Sequence, residues 1–206
     1  MFEIFRDAFQ RDKRKDLTSV GTAPRSGNLE VDQLLEQYGG SSFDQGIYRV
    51  ISAGAVARWA KRATNAFPGF AGRVTPFGAD WLGRLFALDS GRRVDGRPAV
   101  VMLEPGTGQA LEVPCHLVAF HDAELVEHRE EALAESFYKQ WRLAGGAAPH
   151  ISQCVGYKRP LFLGGSDTTD NLELVNLEVY WEISTQLLDQ TRNLPIGTRV
   201  NDINIR

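Results

Sequence analysis

The most informative part of this sequence for the fold is one apolar stretch near the C-terminus, residues 154–167, which reads CVGYKRPLFLGGSD. The run from Val155 to Leu163 is apolar enough to form a buried strand. Pro160 has no backbone N–H to donate, so the strand is expected to lie at an edge or to be interrupted. The stretch ends in a glycine pair and an acid, which is typical of a tight turn.

The segment that follows, residues 176–192, fits two periodicities. Apolar side chains alternate from Leu177 to Ile183 as they do in a strand, but they also recur at helical spacing as far as Thr191. The length of the segment favours a helix, and Asn176 is a suitable N-cap.

Working towards the N-terminus, the middle of the chain predicts a meander between helices. A polar loop at residues 90–98 and a turn at residues 104–108 join three short strands. Strands are expected at residues 47–51, 81–89, 99–104 and 110–113. Amphipathic helices are expected at residues 31–38, 56–67 and 122–143, the last being the longest. These elements predict an α+β fold with a central, largely antiparallel sheet flanked by helices.

The first residues form a separate short element. Phe2, Phe5 and Phe9 share one helical face, and we expect this helix to dock on the body because three exposed phenylalanines would make a sticky patch. Residues 17–28 are rich in Gly, Ser, Thr and Pro and predict a linker. The predicted organisation is an N-terminal helix and flexible linker over residues 1–28, then a body over residues 29–206. The body has two segments, residues 29–120 and 121–206, packed as one unit.

Composition excludes several classes of protein. The 206 residues are 43% hydrophobic and 24% charged, as in globular domains. The net charge of −3 gives no general attraction to nucleic acid. Cys115 and Cys154 form no disulfide framework, which indicates a reducing compartment. No apolar run reaches the ~18 residues of a membrane span, and the acids near Met1 do not fit a signal peptide. We therefore expect a cytoplasmic protein.

No catalytic or metal-binding constellation is evident. Cys115 and His116 are adjacent, so on a strand they would point to opposite faces. His121, Asp122 and His128 lack the spacing of a metal-binding helix and suit a solvated helix start. We expect no enzymatic activity, no cofactor and no metal.

Two other features could bind a partner. The loop Gly164–Asn171 could cradle a phosphate through its amides, but a tight turn is the favoured interpretation, because no Walker lysine follows the glycines. Four glutamates fall on one face of the helix predicted at residues 122–143, and this row could face a basic cleft. They are Glu124, Glu127, Glu131 and Glu135. A basic cluster at Arg58, Lys61 and Arg62 is interpreted as a solvated face.

Several segments also resemble a known family, in matching order along the chain. The segment at residues 38–49 resembles the start of the domain named GAD-like, and residues 77–84 and 103–108 are similar to later parts of the pattern. The C-terminal half adds a signature of ten residues. The signature is Gly156, Tyr157, Pro160, Phe162, Gly164, Gly165, Asp167, Asn171, Tyr180 and Trp181. Together the segments resemble the immunity proteins of type VI secretion DNase toxins.

This resemblance implies a bacterial, cytoplasmic inhibitor that binds a cognate nuclease toxin and prevents self-intoxication. The signature is expected to define the fold rather than the toxin contact, because specificity must differ from one pair to the next. We predict toxin contacts at Glu124, Glu127, Glu131 and Glu135, without nucleic-acid binding. The alternative is a small-ligand or nucleotide-binding module that uses the loop Gly164–Asn171.

Overall fold

The computed structural model describes residues 1–13 and 26–194, so most of the stretch predicted as a linker lies outside the described residues. At its centre is a six-stranded sheet whose strands follow chain order and whose neighbours are all antiparallel. A second sheet consists of two antiparallel strands. The prediction of an α+β fold with a central antiparallel sheet is confirmed.

The strands and helices have the following bounds. The main sheet consists of β1 (Ser42–Phe43), β2 (Tyr48–Val50), β3 (Val74–Asp80), β4 (Leu85–Val94), β5 (Arg97–Glu104) and β6 (Gln109–His116). The small sheet consists of β7 (Gln153–Tyr157) and β8 (Leu172–Asn176). The helices are α1 (Glu3–Ala8), α2 (Leu29–Tyr38), α3 (Val56–Ala66), α4 (Leu117–Ala119), α5 (Leu125–Glu127), α6 (Arg129–Leu133), α7 (Glu135–Leu143) and α8 (Leu177–Thr191). A π-helical turn, Phe120–Glu124, joins α4 to α5. Turns of 3₁₀ helix occupy Asp44–Gly46, Ala53–Ala55, Pro68–Phe70, Leu161–Leu163 and Thr169–Asn171.

The strands of the meander differ in extent from the prediction. The strand expected at residues 81–89 begins only at Leu85, because the chain first makes a tight turn in which Gly83 N–H donates to the Asp80 carbonyl at 3.1 Å. The prediction of a loop at residues 90–98 is wrong, because β4 and β5 continue through this stretch. The turn between the two strands is only Asp95 and Gly96, both of which have positive φ. This outer half of the hairpin is polar, so hydrophobic alternation could not reveal it.

The prediction of a single helix from Asp122 to Leu143 is wrong. The chain instead forms α5, α6 and α7, because His128 leaves helical geometry and Ala134 adopts a φ of +49°. Side chains of the β3–β4 turn explain the second break. The Ala132 carbonyl accepts from the Arg84 guanidinium at 3.0 Å, and the Leu133 carbonyl accepts from the Trp81 indole N–H at 2.8 Å. These carbonyls anchor the chain to the sheet, and the helix ends there.

Helix α1 docks on the body. Phe2, Phe5 and Phe9 are all buried, and Phe5 lies edge-on to His121, with ring centroids 5.2 Å apart. Phe2 provides no side-chain cap for α1, but the Asp122 carboxylate accepts the Phe5 N–H at 3.0 Å. Asp122 thus satisfies one of the free amides at the start of the helix. The division of the chain at residue 28, and of its body at residue 120, stays a prediction.

Helices α3 and α8 pack against each other. The Trp59 and Trp181 rings meet edge to face at 5.9 Å. The basic cluster on α3 is more than a solvated face, because Arg58 and Arg62 both pair with Glu178 of α8, at 3.0 and 3.1 Å. Asn176 caps α8 as predicted, accepting the N–H groups of Glu178 and Val179.

Candidate functional site

The signature residues lie together where β7, β8 and α8 meet the main sheet. Gly156 in β7 lies under the ring of Tyr180, and a Cβ at Gly156 would come within 2.6 Å of that ring. The backbone N–H of Tyr157 donates to the Tyr180 hydroxyl at 3.4 Å. Gly156 is therefore required for the close packing of α8 on the small sheet.

Tyr157 and Pro160 connect this region to the β5–β6 turn. The Tyr157 hydroxyl donates to the Asp167 carboxylate at 2.7 Å, while its ring lies where a Cβ on Gly106 would clash, at 2.6 Å. Burial raises the pKa of Tyr157, and the bond to Asp167 raises it further, so the phenol stays protonated. One residue after Pro160, the Leu161 N–H donates to the Gly106 carbonyl at 2.9 Å. Phe162 is half-buried beside Gly108 of the same turn.

The loop Gly164–Asn171 is closed by bonds within itself and to residues 159–161, which precede it. The Asn171 side chain accepts from Arg159 N–H at 3.0 Å and donates to the Arg159 and Ser166 carbonyls, both at 2.8 Å. The amides of Gly164 and Gly165 donate to the Leu161 and Pro160 carbonyls. Two of the amides that would have to cradle a phosphate are thus occupied, which favours the turn over the ligand loop.

Trp181 joins the small sheet to the β3–β4 turn. Its indole N–H donates to the Gly83 carbonyl at 2.8 Å, and a Cβ at Gly83 would lie 3.0 Å from the Cys154 sulfur. From the other side, the Val155 N–H donates to the Trp81 carbonyl at 2.7 Å. The signature therefore fastens the small sheet and α8 to two turns of the main sheet.

A buried group of charges, which the sequence analysis did not single out, reinforces this junction. Arg49 donates to the backbone carbonyls of Gln153 and Asp80 and, at 3.1 Å, to that of His150. Asp80 pairs with Arg84 inside the protein. Burial raises the pKa of the Asp80 carboxyl, and Arg84 opposes that rise. A buried arginine bonded to three carbonyls positions backbone and carries no chemistry of its own.

Both cysteines, and the histidines His116 and His121, have structural roles. Burial raises the pKa of Cys154 to about 12, and burial together with the Glu124 carboxylate raises that of Cys115 to about 12, so neither is a thiolate at neutral pH. The His116 ring accepts the Ala119 N–H at 3.3 Å and so caps α4. His121 is buried between the Tyr48 hydroxyl and the Leu117 carbonyl, each at 2.9 Å. Across residues 1–13 and 26–194, no cluster of three metal-binding side chains occurs.

The four glutamates predicted as partner contacts do not share one helical face, because the helix that should have carried them is divided. Glu135 is committed to internal ion pairs, with Arg129 at 2.7 Å and Lys139 at 2.8 Å. Glu127 and Glu131 are exposed and Glu124 is half-exposed. In the described part of the chain, no cation lies within salt-bridge distance of these three. Three of the four carboxylates remain available to a partner, and one does not.

The C-terminal part of this structure has a family match. Residues 118–188, from α4 into α8, match the family described as T6SS immunity protein Tdi1, C-terminal. This segment is similar to the Tdi1 family. The Tdi1 match spans about a third of the chain and includes all ten signature residues and all four glutamates. The matched family is one of immunity proteins and not of enzymes.

A solved structure also resembles this fold. The crystal structure of Atu4351 from Agrobacterium tumefaciens superposes with a TM-score of 0.57 at 14% identity, over 90% of this chain and 89% of that one. At this identity the likeness shows the fold alone. No curated protein matches the chain. Among the described helices, none is long and apolar enough to cross a membrane.

Proposed function

We propose that this protein acts in the bacterial cytoplasm, where it binds a cognate nuclease toxin and neutralises it by occluding its active or DNA-binding site. The observation that carries the proposal is the match of residues 118–188 to the Tdi1 immunity family. The segment from Leu117 to Leu133 also bears the carboxylates of Glu124, Glu127 and Glu131, which have no cationic partner in the described residues. A surface that holds DNA is basic, so these carboxylates suit it electrostatically.

The direct test is protection in cells. The toxin domain encoded beside this protein is expressed with and without it, and viability and chromosomal DNA integrity are measured. We expect full protection, and a purified mixture should lose DNase activity at a one-to-one molar ratio. Death at the same rate in both strains would reject the immunity function, and protection from a toxin without nuclease activity would reject its finer assignment.

The contact face is tested by charge reversal. Changing Glu124, Glu127 and Glu131 to Lys should weaken toxin binding by about a hundredfold or more and make the remaining affinity less sensitive to salt. The matched control changes Glu36, Asp170 and Glu173 to Lys, since these acids are exposed elsewhere. Equal affinities of the two variants would remove the glutamates from the interface and leave the immunity function standing.

A further inference from the structure

Strand β6 has an open edge. It is the last strand of the main sheet and pairs with β5 on one side, and no other strand of the described residues pairs with its outer side. An outer edge presents backbone N–H and C=O groups that another strand can bind. The open part is short, because Pro114 lies near a register shift against β5 and cannot donate. Gln109–Val113 is the segment that can pair, although the Gln109 N–H already donates to the Thr107 hydroxyl at 3.3 Å.

This segment carries an apolar side chain at its centre. Leu111 is 42% exposed, and Val113 is only partly buried. Edge strands of monomeric proteins usually carry charge or proline at such positions, and an apolar residue there favours association. Leu111 is therefore a suitable centre for a contact with another chain.

The charges beside the edge select the partner. Glu124 lies in the π-helical turn that packs against β6, close enough to Cys115 to raise the pKa of its thiol. Glu112 bonds Arg92 through one oxygen at 3.1 Å, yet its side chain is 67% exposed. Arg97, on the adjacent strand β5, is paired with Glu30. Two accessible carboxylates thus flank the pairing segment, and a strand bearing Lys or Arg complements them.

We propose that a strand of the toxin's basic surface adds to β6 over Gln109–Val113, with its cations facing Glu112 and Glu124. Backbone hydrogen bonds along the edge provide affinity, while Leu111 and the two carboxylates provide selectivity. This inference rests on the proposed function and identifies the surface through which the protein would act.

Hydrogen exchange tests the pairing directly. The full chain is compared alone and in complex with a toxin domain inactivated at its nuclease site. Amides in residues 109–113 that exchange quickly in the free protein should exchange at least about tenfold more slowly in the complex. Unchanged exchange in a formed complex overturns the proposal, and so does slow exchange in the free protein, because the edge would already be covered. Absence of any complex instead rejects the proposed function.

A matched pair of variants tests the side chains. Leu111→Lys should weaken toxin binding by about tenfold or more, whereas Leu143→Lys, at a position 87% exposed on α7, should not change it. Leu111→Glu should bind better than Leu111→Lys. Since Leu111 is already exposed, all three should melt near the wild type; if Leu111→Lys does not fold, Glu112→Lys replaces it. Equal affinity of the edge variant and the wild type overturns the proposal, as does an edge-dependent dimer of the free protein.

Discussion

The C-terminal signature and the glutamate-bearing segment contrast in how their polar groups are used. In the signature, Asn171 makes three hydrogen bonds, Tyr157 bonds Asp167, and Trp181 bonds the carbonyl of Gly83. In the segment from Leu117 to Glu135, three of the four glutamates predicted as toxin contacts have no cation partner in the described structure. A region whose groups are satisfied internally serves the fold, whereas a region with unpaired charge is available to a partner.

Under the proposed function, this contrast separates two requirements. The protein must fold, and it must also recognise its own toxin. Residues that fasten turns of the main sheet to the small sheet cannot vary without cost to packing. Exposed carboxylates on α5 and α6 can change without disturbing the core. The predictions below test this division, beginning with the change expected to have the largest effect.

Removing Trp181 tests whether the C-terminal signature stabilises the fold. Trp181 is buried against Trp59 and Phe67 and bonds Gly83, so Trp181→Ala leaves both a cavity and an unpaired carbonyl. We expect the free energy of unfolding to fall by about 3–5 kcal/mol, measured by urea denaturation. The control is Val179→Ala on the exposed side of α8, which should change it by less than about 0.5 kcal/mol. A loss below about 1 kcal/mol for Trp181→Ala would contradict the structural role.

Acid should weaken the attachment of the glutamate-bearing segment to the core through His121. Burial among aromatic rings lowers the pKa of His121 from 6.5 to about 4. Above pH 6.5 the ring is neutral in both states; as pH falls from about 6.5 to about 4, only the unfolded state takes up the proton. Stability should therefore drop by about 3 kcal/mol across that window from this residue alone.

The measurement for His121 is the slope of unfolding free energy against pH. His121→Phe should remove about 3 kcal/mol of the acid loss, whatever its stability at pH 7, while the control His128→Gln, which changes an exposed histidine, should keep the wild-type slope. An unchanged slope for His121→Phe would show that the ring is protonated alike in both states.

The sequence predicted those parts of the molecule whose causes are local. Helix α8 could be foreseen from Asn176 and the helical recurrence of apolar residues, and the turn interpretation of Gly164 from its neighbours. The division between α6 and α7 could not, because it depends on Arg84 and Trp81, which lie 48 and 52 residues from the carbonyls that they bind. The sequence likewise offers no signal that Glu135 forms an ion pair with Arg129 while Glu131 does not.

Asn171 provides a prediction of intermediate size. Asn171→Ala removes three hydrogen bonds that close the loop after Pro160. Water can then bind the backbone groups of Arg159 and Ser166 that lose their partner. We expect a loss of about 2 kcal/mol in unfolding free energy, by urea denaturation, with toxin affinity unchanged below the melting temperature. The control is Asn65→Ala, at an exposed site on α3. Loss of toxin binding by folded Asn171→Ala would place the loop in the interface and reverse the comparison.

The smallest expected change in stability distinguishes two glutamates on the same segment. Glu135→Gln weakens the pairs with Arg129 and Lys139, so unfolding free energy should fall by about 0.5–1 kcal/mol while toxin affinity stays the same. Glu131→Gln removes a charge that has no cation partner among the described residues, so stability should stay the same while affinity falls severalfold. Calorimetric titration and urea denaturation of both variants measure the two effects. If both variants lose affinity equally, Glu135 must leave Arg129 and contact the toxin in the complex. The distinction between internally paired and available glutamates would then hold only for the free protein.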